Sequence, residues 1–417
     1  MTLRIIARLR YNKLKELLKE PEIILITGAR QVGKTTLMRK LEQELQIQGE
    51  QTIFLNLDIE ADSRYFESQA KLIKKLELDC SKDKAYVFID EIQRKENAGL
   101  FLKGLYDMKL NYKFIVSGSG SLELKEKISE SLAGRKRSIE LRPVSFVEFL
   151  NFKTEYKYEN KLGSFFEIET EKAKLLLQEY LNFGGYPKVV TSTSLEEKQR
   201  AIAEIYTSYL DKDIKALLNL ERPDAYTKMI RILAAQLGQT LNYSELASQT
   251  GLATETLKKY LDYAEKTFAI QIISPYFKNK TKEITKSPEV YFNDIGLRNY
   301  TIDEFGSITN ETEYSFLFEN LILDILKENN LNSSREIHFW RTTDKAEVDF
   351  IIDSAKTVVP VEVKYSHYQK AKIPSSLKSF IKKYKPKEAW LINLGLREEL
   401  EYENCKVRFI TLADLLT

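Results

Sequence analysis

A run of small, basic and hydroxyl residues between positions 28 and 36 has the types and spacing of a phosphate-binding loop. It follows an apolar run at 22–27, precedes a helical pattern at 35–48, and fits GxxxxGK[ST] with Gly28, Ala29, Arg30, Gln31, Val32, Gly33, Lys34, Thr35 and Thr36. Such loops wrap polyphosphate with backbone N–H groups at a helix N-terminus. Lys34 is then expected to contact the β and γ oxygens as a catalytic cation, and Thr35 to bind Mg²⁺.

A second site with carboxylates is needed, because Mg²⁺ must be held and the attacking water oriented. The apolar run at 85–90 ends in Asp90 and is followed by Glu91. This position predicts the C-terminal edge of a sheet, where α/β proteins bind ligands. We assign Asp90 to Mg²⁺ and Glu91 to polarising the water. The alternative is a strand that simply ends in solvated acids.

Hydroxyl and guanidinium groups further along the chain are candidates for sensing the γ-phosphate. The strand pattern at 113–118 brings Ser117 or Ser119 to the same edge of the sheet. Arg135 stands beside the flexible Gly134 and is a candidate arginine finger, acting in cis or in trans. Arg137 competes for that role, and an ordinary surface arginine fits the pattern equally well.

A second constellation of charged residues lies near the C-terminus. Glu319 falls on an amphipathic helix pattern, and Asp349, Glu362 and Lys364 fall on strand patterns. Glu362 and Lys364 are two residues apart, so they share one face of a strand. Asp349 and Glu362 can then share a Mg²⁺ or Mn²⁺ ion while Lys364 stabilises the attacking water or the pentavalent phosphate. The alternative is a cross-strand salt bridge that contributes only ~0.2 to 1 kcal/mol.

Residues 241–264 give two short helix patterns joined through Gly251, the layout of a helix-turn-helix, and a strand-like segment follows at 270–277. Ser244 and Thr254 are the expected N-caps. The expected contacts to nucleic acid are Thr256, Lys258 and Lys259 on the second helix and Lys278, Lys280, Lys282 and Lys286, offset by Glu283, in the following hairpin. The alternative is a connector whose lysines only solvate an exposed hairpin.

Four segments must position these residues. Apolar runs at 22–27, 52–58, 85–90 and 113–118 alternate with helical patterns, which indicates a parallel sheet buried on both faces. The expected units are a nucleotide-binding domain at 1–155, a helical lid or connector at 156–238, a winged-helix-like module at 239–288 and a third α/β unit at 289–417. In the third unit we expect helix 312–330, strands 337–342, 346–353 and 357–365, helix 374–384 and strands 389–393 and 406–411.

Composition excludes several classes of protein. With 417 residues, 43% hydrophobic and 30% charged, the chain has ordinary globular usage, and no run approaches the roughly 20 apolar residues of a membrane span. A net charge of +3 neither requires nor forbids a nucleic-acid partner. Two distant cysteines and two histidines make a disulfide scaffold, a zinc site and histidine catalysis improbable. We therefore expect a cytoplasmic protein without membrane anchor or signal peptide.

The motifs GARQVGKTT, VFIDEIQR, IVSGSGSLEL, LAGRKRSIELRPVSFVEFL and FGGYPKVV together resemble the prokaryotic AAA-type ATPases that carry a C-terminal domain of unknown function numbered 4143. The likeness runs along nearly the whole chain. It implies that ATP is the nucleotide, that Gly28 to Thr36 is the Walker A loop, and that Asp90 and Glu91 are Walker B. Ser117 to Ser119 would be the sensor strand and Arg135 the finger. No residue matches the family's second-sensor arginine.

The order of elements after residue 312 resembles the restriction-endonuclease-like PD-(D/E)XK fold over about residues 312 to 412. The resemblance implies that Glu319 is the helix carboxylate, Asp349 the metal aspartate, and Glu362 with Lys364 the ExK pair. Val348 stands where the motif's name has proline. The expected architecture is therefore a P-loop NTPase parallel sheet, a helical lid with a winged-helix-like module, and a restriction-endonuclease-like α/β domain.

Two functions fit these expectations. One is an ATPase whose nucleotide state controls a metal-dependent nuclease-like domain acting on DNA. The other is an ATP-driven switch that binds DNA or protein and uses a catalytically inactive nuclease-like domain for docking. A finger acting in trans would add a homo-oligomer to the expected partners.

Overall fold

The structure is a computed structural model, and it describes residues 5–80, 84–119, 131–211, 214, 220–278, 286–330, 335–344, 346–354 and 357–416. The described chain forms two sheets of five and six strands, a two-stranded hairpin, and helices that cover and connect them. The predicted positions Lys280, Lys282 and Glu283 lie outside the described residues.

The N-terminal sheet is entirely parallel and has the order β2-β3-β4-β1-β5. Its strands are β1 (Ile23–Gly28), β2 (Thr52–Asn56), β3 (Ala85–Asp90), β4 (Tyr112–Ser119) and β5 (Lys136–Glu140). All six residues of β3 are buried. The apolar runs of β1, β3 and β4 thus correspond to strands that are covered on both faces, whereas the edge strand β2 is fully buried only at alternate residues.

Helices cover the two faces of this sheet. They are α1 (Arg10–Leu17), α2 (Lys34–Ile47), α3 (Glu60–Ser63), α4 (Gln69–Asp79) and α5 (Ala98–Asp107). Leu37 and Leu41 of α2 pack into one apolar cluster with alternate residues of β1, and Leu72 and Leu102 of α4 and α5 pack into another on the opposite face. Burial on both sides fixes the carboxyl ends of the strands along one edge.

Register within the sheet brings the predicted nucleotide residues to that edge. Gly28 at the end of β1 is paired with Ser119 of β4. Asp90 at the end of β3 is paired with Asn56 of β2. Because β4 lies between β1 and β3, the phosphate-binding loop, the hydroxyl strand and the acidic strand end side by side.

A helical connector follows the sheet. Its helices are α6 (Phe146–Lys153), α7 (Leu162–Ile168), α8 (Thr170–Phe183), α9 (Pro187–Thr191) and α10 (Leu195–Ser208). Ser145 and Glu148 form a capping box at the start of α6, and Ser194 and Glu197 do so for α10. The ring of Tyr180 lies 5.2 Å from the rings of both Phe146 and Phe149, so α8 is packed firmly against α6.

The next unit contains α11 (Pro223–Ala235), α12 (Tyr243–Thr250) and α13 (Thr254–Lys266), followed by the antiparallel pair β6 (Ile270–Ile273) and β7 (Glu289–Phe292). Gly251, with φ 67°, ends α12 in the left-handed conformation that favours glycine. The predicted caps were wrong, because Ser244 and Thr254 both lie inside the first turn of their helices. Asn242 caps α12, and Ala253 precedes α13 without a side-chain cap.

The C-terminal sheet has the order β12-β13-β11-β10-β9-β8. Two helices, α14 (Ile295–Thr301) and α15 (Glu311–Asn329), precede it. Its elements are β8 (Glu336–Arg341), β9 (Glu347–Asp353), β10 (Val358–Val363), α16 (Ser375–Tyr384), β11 (Glu388–Asn393), β12 (Glu398–Tyr402) and β13 (Cys405–Thr411). Strands β8, β9 and β10 form an antiparallel meander, and α16 crosses from β10 to the parallel strand β11.

One apolar cluster joins the connector, the helix-hairpin unit and the C-terminal sheet. It contains Leu181 of α8, Leu257 of α13, Phe292 of β7 and Leu321 of α15, all nearly inaccessible to solvent. A continuous interior of this kind transmits small displacements between the elements that share it. The chain therefore has a packed physical connection between the helical connector and the C-terminal sheet.

Candidate functional site

The phosphate-binding loop runs from β1 into α2, and its backbone requires glycine at two positions. Gly33 has φ 97° and Gly28 has φ 151°. A Cβ atom at Gly28 would lie 2.1 Å from the carbonyl oxygen of Leu141, so the loop and the segment after β5 are in direct contact. The buried Lys34 donates to the carbonyl oxygens of Gly28 at 3.0 Å and Ala29 at 2.7 Å, which holds its ammonium group inside the loop.

Thr35 and Asp90 meet directly. The Thr35 hydroxyl donates to Asp90 Oδ2 at 2.7 Å, and the hydroxyl of Ser117 contacts the other carboxylate oxygen. Asp90 is 1% exposed. A hydroxyl and a carboxylate at the mouth of a phosphate loop are oxygen donors of the kind that Mg²⁺ prefers, so the residues present fit this ion.

Glu91 adopts an unusual backbone conformation at the same edge. Its φ of 58° and ψ of 40° lie in the left-handed region, which a non-glycine residue enters only at some cost. Gln93 donates to Ser119 Oγ at 2.9 Å and also contacts the Glu91 carboxylate. Gln93 thus ties the predicted catalytic carboxylate to the predicted sensor hydroxyl. Sequence reasoning missed it, although it stands only three residues after Asp90.

A cavity of about 590 Å³ lies over the loop, large enough for a nucleotide. Its walls come from the loop itself, from the N-terminal segment and from the connector: Ile5, Ile6, Arg8, Arg30, Gln31, Val32, Gly33, Lys34, Thr35, Thr36, Leu37, Lys40, Glu91, Pro187, Lys188, Thr191 and Ser208. Lys188 brings a cation from the connector to the cavity, while its Nζ lies 2.6 Å from Glu204. The connector therefore forms one wall of the nucleotide site, as expected of a lid.

Arg8 is a second residue that sequence reasoning missed as part of this site. Its guanidinium donates to Glu148 at 2.9 Å and to the carbonyl oxygens of Val32 at 2.8 Å, Arg142 at 2.5 Å and Pro143 at 3.2 Å. One buried side chain thereby joins the phosphate loop to the segment that leads into α6. The signal available in the sequence was only an isolated N-terminal arginine cluster.

Arg135 lies at the opposite edge of the sheet from the phosphate loop. Its carbonyl accepts from the N–H of Ile23 at the start of β1, and Gly28 ends that strand, five residues or about 16 Å further on. The prediction of a finger acting in cis is therefore wrong, because an arginine side chain does not span that distance. Arg135 is instead paired with Asp107 at 2.7 Å, and Arg137 with Glu20 and Glu22 at 2.6 and 2.8 Å.

The four predicted residues of the C-terminal constellation do come together. Lys364 Nζ lies 2.9 Å from Glu362 and 4.0 Å from Asp349, and Asp349 Oδ2 accepts from the N–H of Val363 at 2.6 Å. Glu319 reaches the same cluster from α15, and the Tyr291 hydroxyl donates to it at 2.5 Å. Three carboxylates and one ammonium group therefore converge at the ends of β9 and β10.

Two residues of β7 complete this cluster, although no motif in the sequence pointed to them. The Tyr291 hydroxyl is within 3.3 Å of Glu289 as well as 2.5 Å of Glu319. Glu289 is 1% exposed, and one of its carboxylate oxygens has no hydrogen-bond partner. The hairpin of the helix-turn-helix unit thus contributes directly to the C-terminal site.

Burial controls the protonation of these groups. Burial, then the charge of Glu319, raises the pKa of Glu289 to about 10. Burial, then the charge of Asp349, raises the pKa values of Glu319 and Glu362. Burial alone would lower the pKa of Lys364, but the carboxylates of Asp349 and Glu362 outweigh it and raise that pKa. The cluster therefore holds excess negative charge that a proton or a cation must neutralise.

Among the described residues, no group of three or more His, Cys, Asp or Glu side chains is arranged to hold a metal ion. Lys364 lies among the carboxylates where we expected a divalent ion to be shared. Nevertheless, neither the buried Glu362 Oε2 nor the buried Glu289 Oε1 has a hydrogen-bond partner. These oxygen donors fit a hard cation chemically, although their present arrangement around Lys364 is not that of a metal site.

The helix-turn-helix lysines are accessible. Lys258 and Lys259 of α13 are exposed and Thr256 is half-buried, while Lys278 and Lys286 flank the hairpin and are exposed. Lys278 Nζ lies 5.7 Å from the ring centroid of Tyr384 at the end of α16. In addition, the Tyr276 N–H donates to Phe339 of β8 at 2.6 Å. The hairpin is therefore joined to the C-terminal sheet.

Three family models match successive parts of the chain. Residues 20–150 match an AAA domain, residues 174–307 a domain of unknown function (DUF8612), and residues 314–414 a domain of unknown function (DUF4143). The chain is therefore similar to AAA domains over residues 20–150 and to DUF4143 domains over residues 314–414. This confirms the two-part family resemblance in the sequence.

The chain is also similar to several uncharacterized proteins. It is 26% identical to MJ1637 of Methanocaldococcus jannaschii over 75% of this chain and 72% of that protein. It is 26% identical to a protein of Haemophilus influenzae, over 85% of this chain and 86% of that protein. It is 27% identical to Rv2008c of Mycobacterium tuberculosis, over 84% of this chain and 72% of that protein. The matches cover between 72% and 86% of each relative, and the names of these proteins assign no activity.

Two solved structures give distant matches. AMPPCP-bound DnaA from Aquifex aeolicus is 18% identical over 71% of this chain and 94% of that chain, with a TM-score of 0.30. Cdc6p from Pyrobaculum aerophilum is 11% identical over 73% of this chain and 96% of that chain, with a TM-score of 0.28. No functional property follows from TM-scores this low. Within the described part of the chain, none of the helices has the length and apolar character required to cross a membrane.

Proposed function

We propose that the protein binds ATP and hydrolyses it with Mg²⁺. The observation that carries this proposal is the hydrogen bond of 2.7 Å between Thr35 and Asp90 beneath the phosphate loop. It brings together the two oxygen donors that hold a nucleotide-bound ion in P-loop enzymes. The cavity of about 590 Å³ above them, with Glu91 in its wall, provides the space for the nucleotide.

Each residue of the site has a distinct task in this reaction. Lys34 leaves the loop carbonyls of Gly28 and Ala29 to contact the β and γ phosphates, and the loop N–H groups bind the remaining oxygens. Thr35 and Asp90 would hold the Mg²⁺ ion, which when bound would neutralise charge that develops on the phosphates. Glu91 orients and deprotonates the attacking water, and Gln93 keeps that carboxylate beside Ser119.

Arg135 acts in trans in this proposal. Its position at the far edge of the sheet is exposed enough to meet a second copy, and its partner Asp107 lies on α5 at the surface. The charge on the γ-phosphate in the transition state would then be stabilised by a guanidinium from the neighbouring subunit. A homo-oligomer is therefore the assembly that completes the ATPase site.

For the C-terminal sheet we propose a metal-dependent nuclease-like domain that acts on DNA. The order α15, β8-β9-β10 meander, α16 and β11 supports this proposal, because it resembles the order of elements expected of a restriction-endonuclease-like domain. Glu319, Asp349 and Glu362 would supply carboxylate oxygens, with Asp349 and Glu362 as metal ligands. Lys364 would move toward the attacking water or the scissile phosphate once a cation replaces it between the carboxylates.

The winged-helix-like module is the DNA-binding element of the proposal. The strands β6 and β7 pair after α13. An isolated antiparallel bridge between Thr240 and Glu289 adds a third segment beside this pair. Three helices followed by a small antiparallel sheet support this proposal, because a winged-helix-like module is expected to have that order of elements. Lys258 and Lys259 on α13 are the exposed cations expected to meet phosphates.

The same module supplies a route for nucleotide control. Pro187 lines the nucleotide cavity, and the N–H of Gly185 donates to Asp294 at 2.7 Å. Asp294 follows β7 closely, and Tyr291 of β7 donates to Glu319. A displacement of the lid by ATP would therefore shift the strand that contacts the C-terminal carboxylates.

A specific observation favours the second candidate function, an ATP-driven switch that binds DNA or protein through an inactive nuclease-like domain. Lys364 is already ion-paired with Glu362, and the described carboxylates are not grouped as a metal site. A docking domain would retain the fold and the ion pair between the half-buried Lys364 and the buried Glu362 without cutting. Both functions require ATP.

Two variants separate these functions. Glu91→Gln should bind ATP but hydrolyse it about 100 to 1,000 times more slowly, since it removes only the base. Asp349→Ala should keep the ATPase rate and lose the Mg²⁺- or Mn²⁺-dependent cutting of labelled DNA. Cutting by the native protein that survives in Asp349→Ala contradicts the nuclease assignment. Absence of cutting on both duplex and single-stranded DNA favours the switch.

A further inference from the structure

One stretch of the chain has an extreme local charge. Residues 363–387 contain eight lysines, at positions 364, 370, 372, 378, 382, 383, 385 and 387, and no aspartate or glutamate. The remainder of the chain carries 56 basic and 61 acidic side chains, so it is net negative. The nearly neutral composition therefore conceals a strongly positive segment, which we call the 363–387 segment.

Most of these lysines are at the surface. Leu377, Phe380 and Ile381 of α16 are buried against the C-terminal sheet, which turns the lysines of that helix outward. Lys370, Lys372, Lys382, Lys383, Lys385 and Lys387 are all exposed. Apart from Lys364, none of the segment's lysines forms an ion pair with a described acidic residue. Their charge is therefore available to a partner.

Helix stability does not account for this arrangement. Lys382 and Lys383 lie in the last turn of α16, where cations favour the helix dipole. Lys370 and Lys372, however, precede the first turn, where a positive charge is unfavourable for the same reason. Lysines therefore lie near both ends of α16, although only those at its C-terminal end stabilise the helix. We infer that the lysines near its N-terminal end serve a purpose other than helix stability.

Aromatic rings hold several of the cations in place. Lys378 and Lys382 lie 5.4 and 6.0 Å from the ring of Tyr402, and Lys383 lies 5.8 Å from the ring of Trp340. Such contacts support the long side chains without neutralising them. The acidic neighbour Glu399 on β12 is engaged with Lys406 and Arg408 instead.

The positive surface continues beyond the segment. Lys278 at the base of the hairpin lies 5.7 Å from the ring of Tyr384, and Tyr276 packs on the same ring at 5.3 Å. In the other direction the segment begins at Lys364, in the carboxylate cluster. The segment is therefore in contact with the helix-turn-helix unit at Tyr384, and along the chain it begins in the carboxylate cluster.

We propose that the outer face of α16, with Lys370, Lys372, Lys382, Lys383 and Lys387, binds the phosphate backbone of duplex DNA. This rests on the proposed function, since it names the surface through which DNA would reach the C-terminal site. None of the segment's large apolar side chains is prominently exposed, whereas a helix that binds membranes presents an apolar face. Unpaired lysines on a polar surface are instead typical of backbone contacts to nucleic acid.

The test compares two full-length variants of equal charge. The first changes Lys370, Lys372, Lys382 and Lys387 to Gln, and the control changes Lys19, Lys74, Lys157 and Lys172 to Gln, which are equally exposed but lie elsewhere. Fluorescence anisotropy with a labelled duplex of about thirty base pairs is measured between 50 and 300 mM NaCl. Each phosphate contact contributes about 0.9 to the slope of log affinity against log salt.

We expect the first variant to lose at least about tenfold in affinity at 100 mM NaCl and to reduce the slope by about 2 to 4, with the control within threefold of the native protein. Equal affinities of the two variants overturn the proposal, as does a native protein that does not bind the duplex. Loss of binding to phosphatidylserine vesicles with unchanged duplex binding assigns the surface to membranes and also overturns it. Binding through this surface without cutting contradicts the nuclease activity and leaves the DNA surface intact.

Discussion

The main-chain N–H of Gly185 donates to Asp294 Oδ2 at 2.7 Å, and this hydrogen bond joins the lid of the nucleotide cavity to the strand of the C-terminal carboxylate cluster. The other oxygen of Asp294 accepts from Leu297 N at 2.7 Å, so both oxygens are used. A Cβ atom at Gly185 would lie 2.1 Å from the Val144 carbonyl oxygen. The junction is therefore tightly packed on both sides.

Asp294→Asn should uncouple the two sites. The amide places an N–H₂ group against one of two main-chain N–H donors, which leaves a buried donor without a partner at a cost of about 1 to 3 kcal/mol. In the native protein we expect a non-hydrolysable ATP analogue to change hydrogen exchange in β7 and α15. In Asp294→Asn that change should disappear while ATP still binds.

The matched control for this experiment is Asp303→Asn, which alters an exposed aspartate paired with Arg231. It should leave the exchange response intact. An unaltered response in Asp294→Asn would show that the signal, if any, travels by another route, such as Arg8 and Glu148.

Arg135 should act between subunits. Arg135→Ala supplies a phosphate loop without a finger, and Lys34→Ala supplies a finger without a working phosphate loop. Each alone should have little ATPase activity, and mixing them should restore part of it, because mixed interfaces combine one intact loop with one intact finger.

Arg137→Ala is the control for the finger, since Arg137 is held by Glu20 and Glu22 at the same edge. It should retain most of the activity. Mixtures no more active than the separate variants would argue against a finger acting in trans.

Glu328 on α15 should make stability depend on pH. Burial, then the charge of Glu148, raises the pKa of Glu328 to about 7, against the opposing effects of Arg10, Ser145 and Arg142. Between pH about 4.5 and 7 the unfolded chain loses this proton while the folded chain keeps it, so the contribution of Glu328 to stability falls as pH rises.

Glu328→Gln removes that loss. The variant should gain stability relative to the native protein on going from pH 5 to pH 8, by at most about 3 kcal/mol. Thermal unfolding at the two pH values measures the difference, with the exposed Glu171→Gln as a control. A difference between variant and native protein that is the same at both pH values would contradict the raised pKa.

The sequence predicted those parts of the fold whose local pattern is strong. Strands β1, β3 and β4 and helices α2, α15 and α16 lie within one or two residues of their predicted bounds. Strand β5 was missed because its charged residues, the half-buried Lys136 and the exposed Arg137, hide the alternation of an edge strand. Strand β12 was missed for the same reason, since three of its five residues are glutamates.

The candidate sites show the same division. Lys34, Thr35 and Asp90 could be placed from motif and element order alone, because the chemistry requires them at the ends of adjacent strands. Four other residues could not be placed in this way, because their roles depend on contacts between distant segments. They are Gln93, Arg8, Glu289 and Tyr291. Arg135 lies at the edge of the sheet opposite the phosphate loop of its own chain. This position could be recognised only once the register of β5 on β1 was known.

The central claim is that the phosphate loop binds ATP through Lys34, and isothermal titration calorimetry tests it most directly. With Mg²⁺ present, we expect the native protein to bind ATP at one site per chain. Lys34→Ala should bind at least about thirtyfold more weakly, because it loses a charged contact of about 2 to 3 kcal/mol. Heat of binding that is absent in the folded native protein, or unchanged in Lys34→Ala, would contradict the claim.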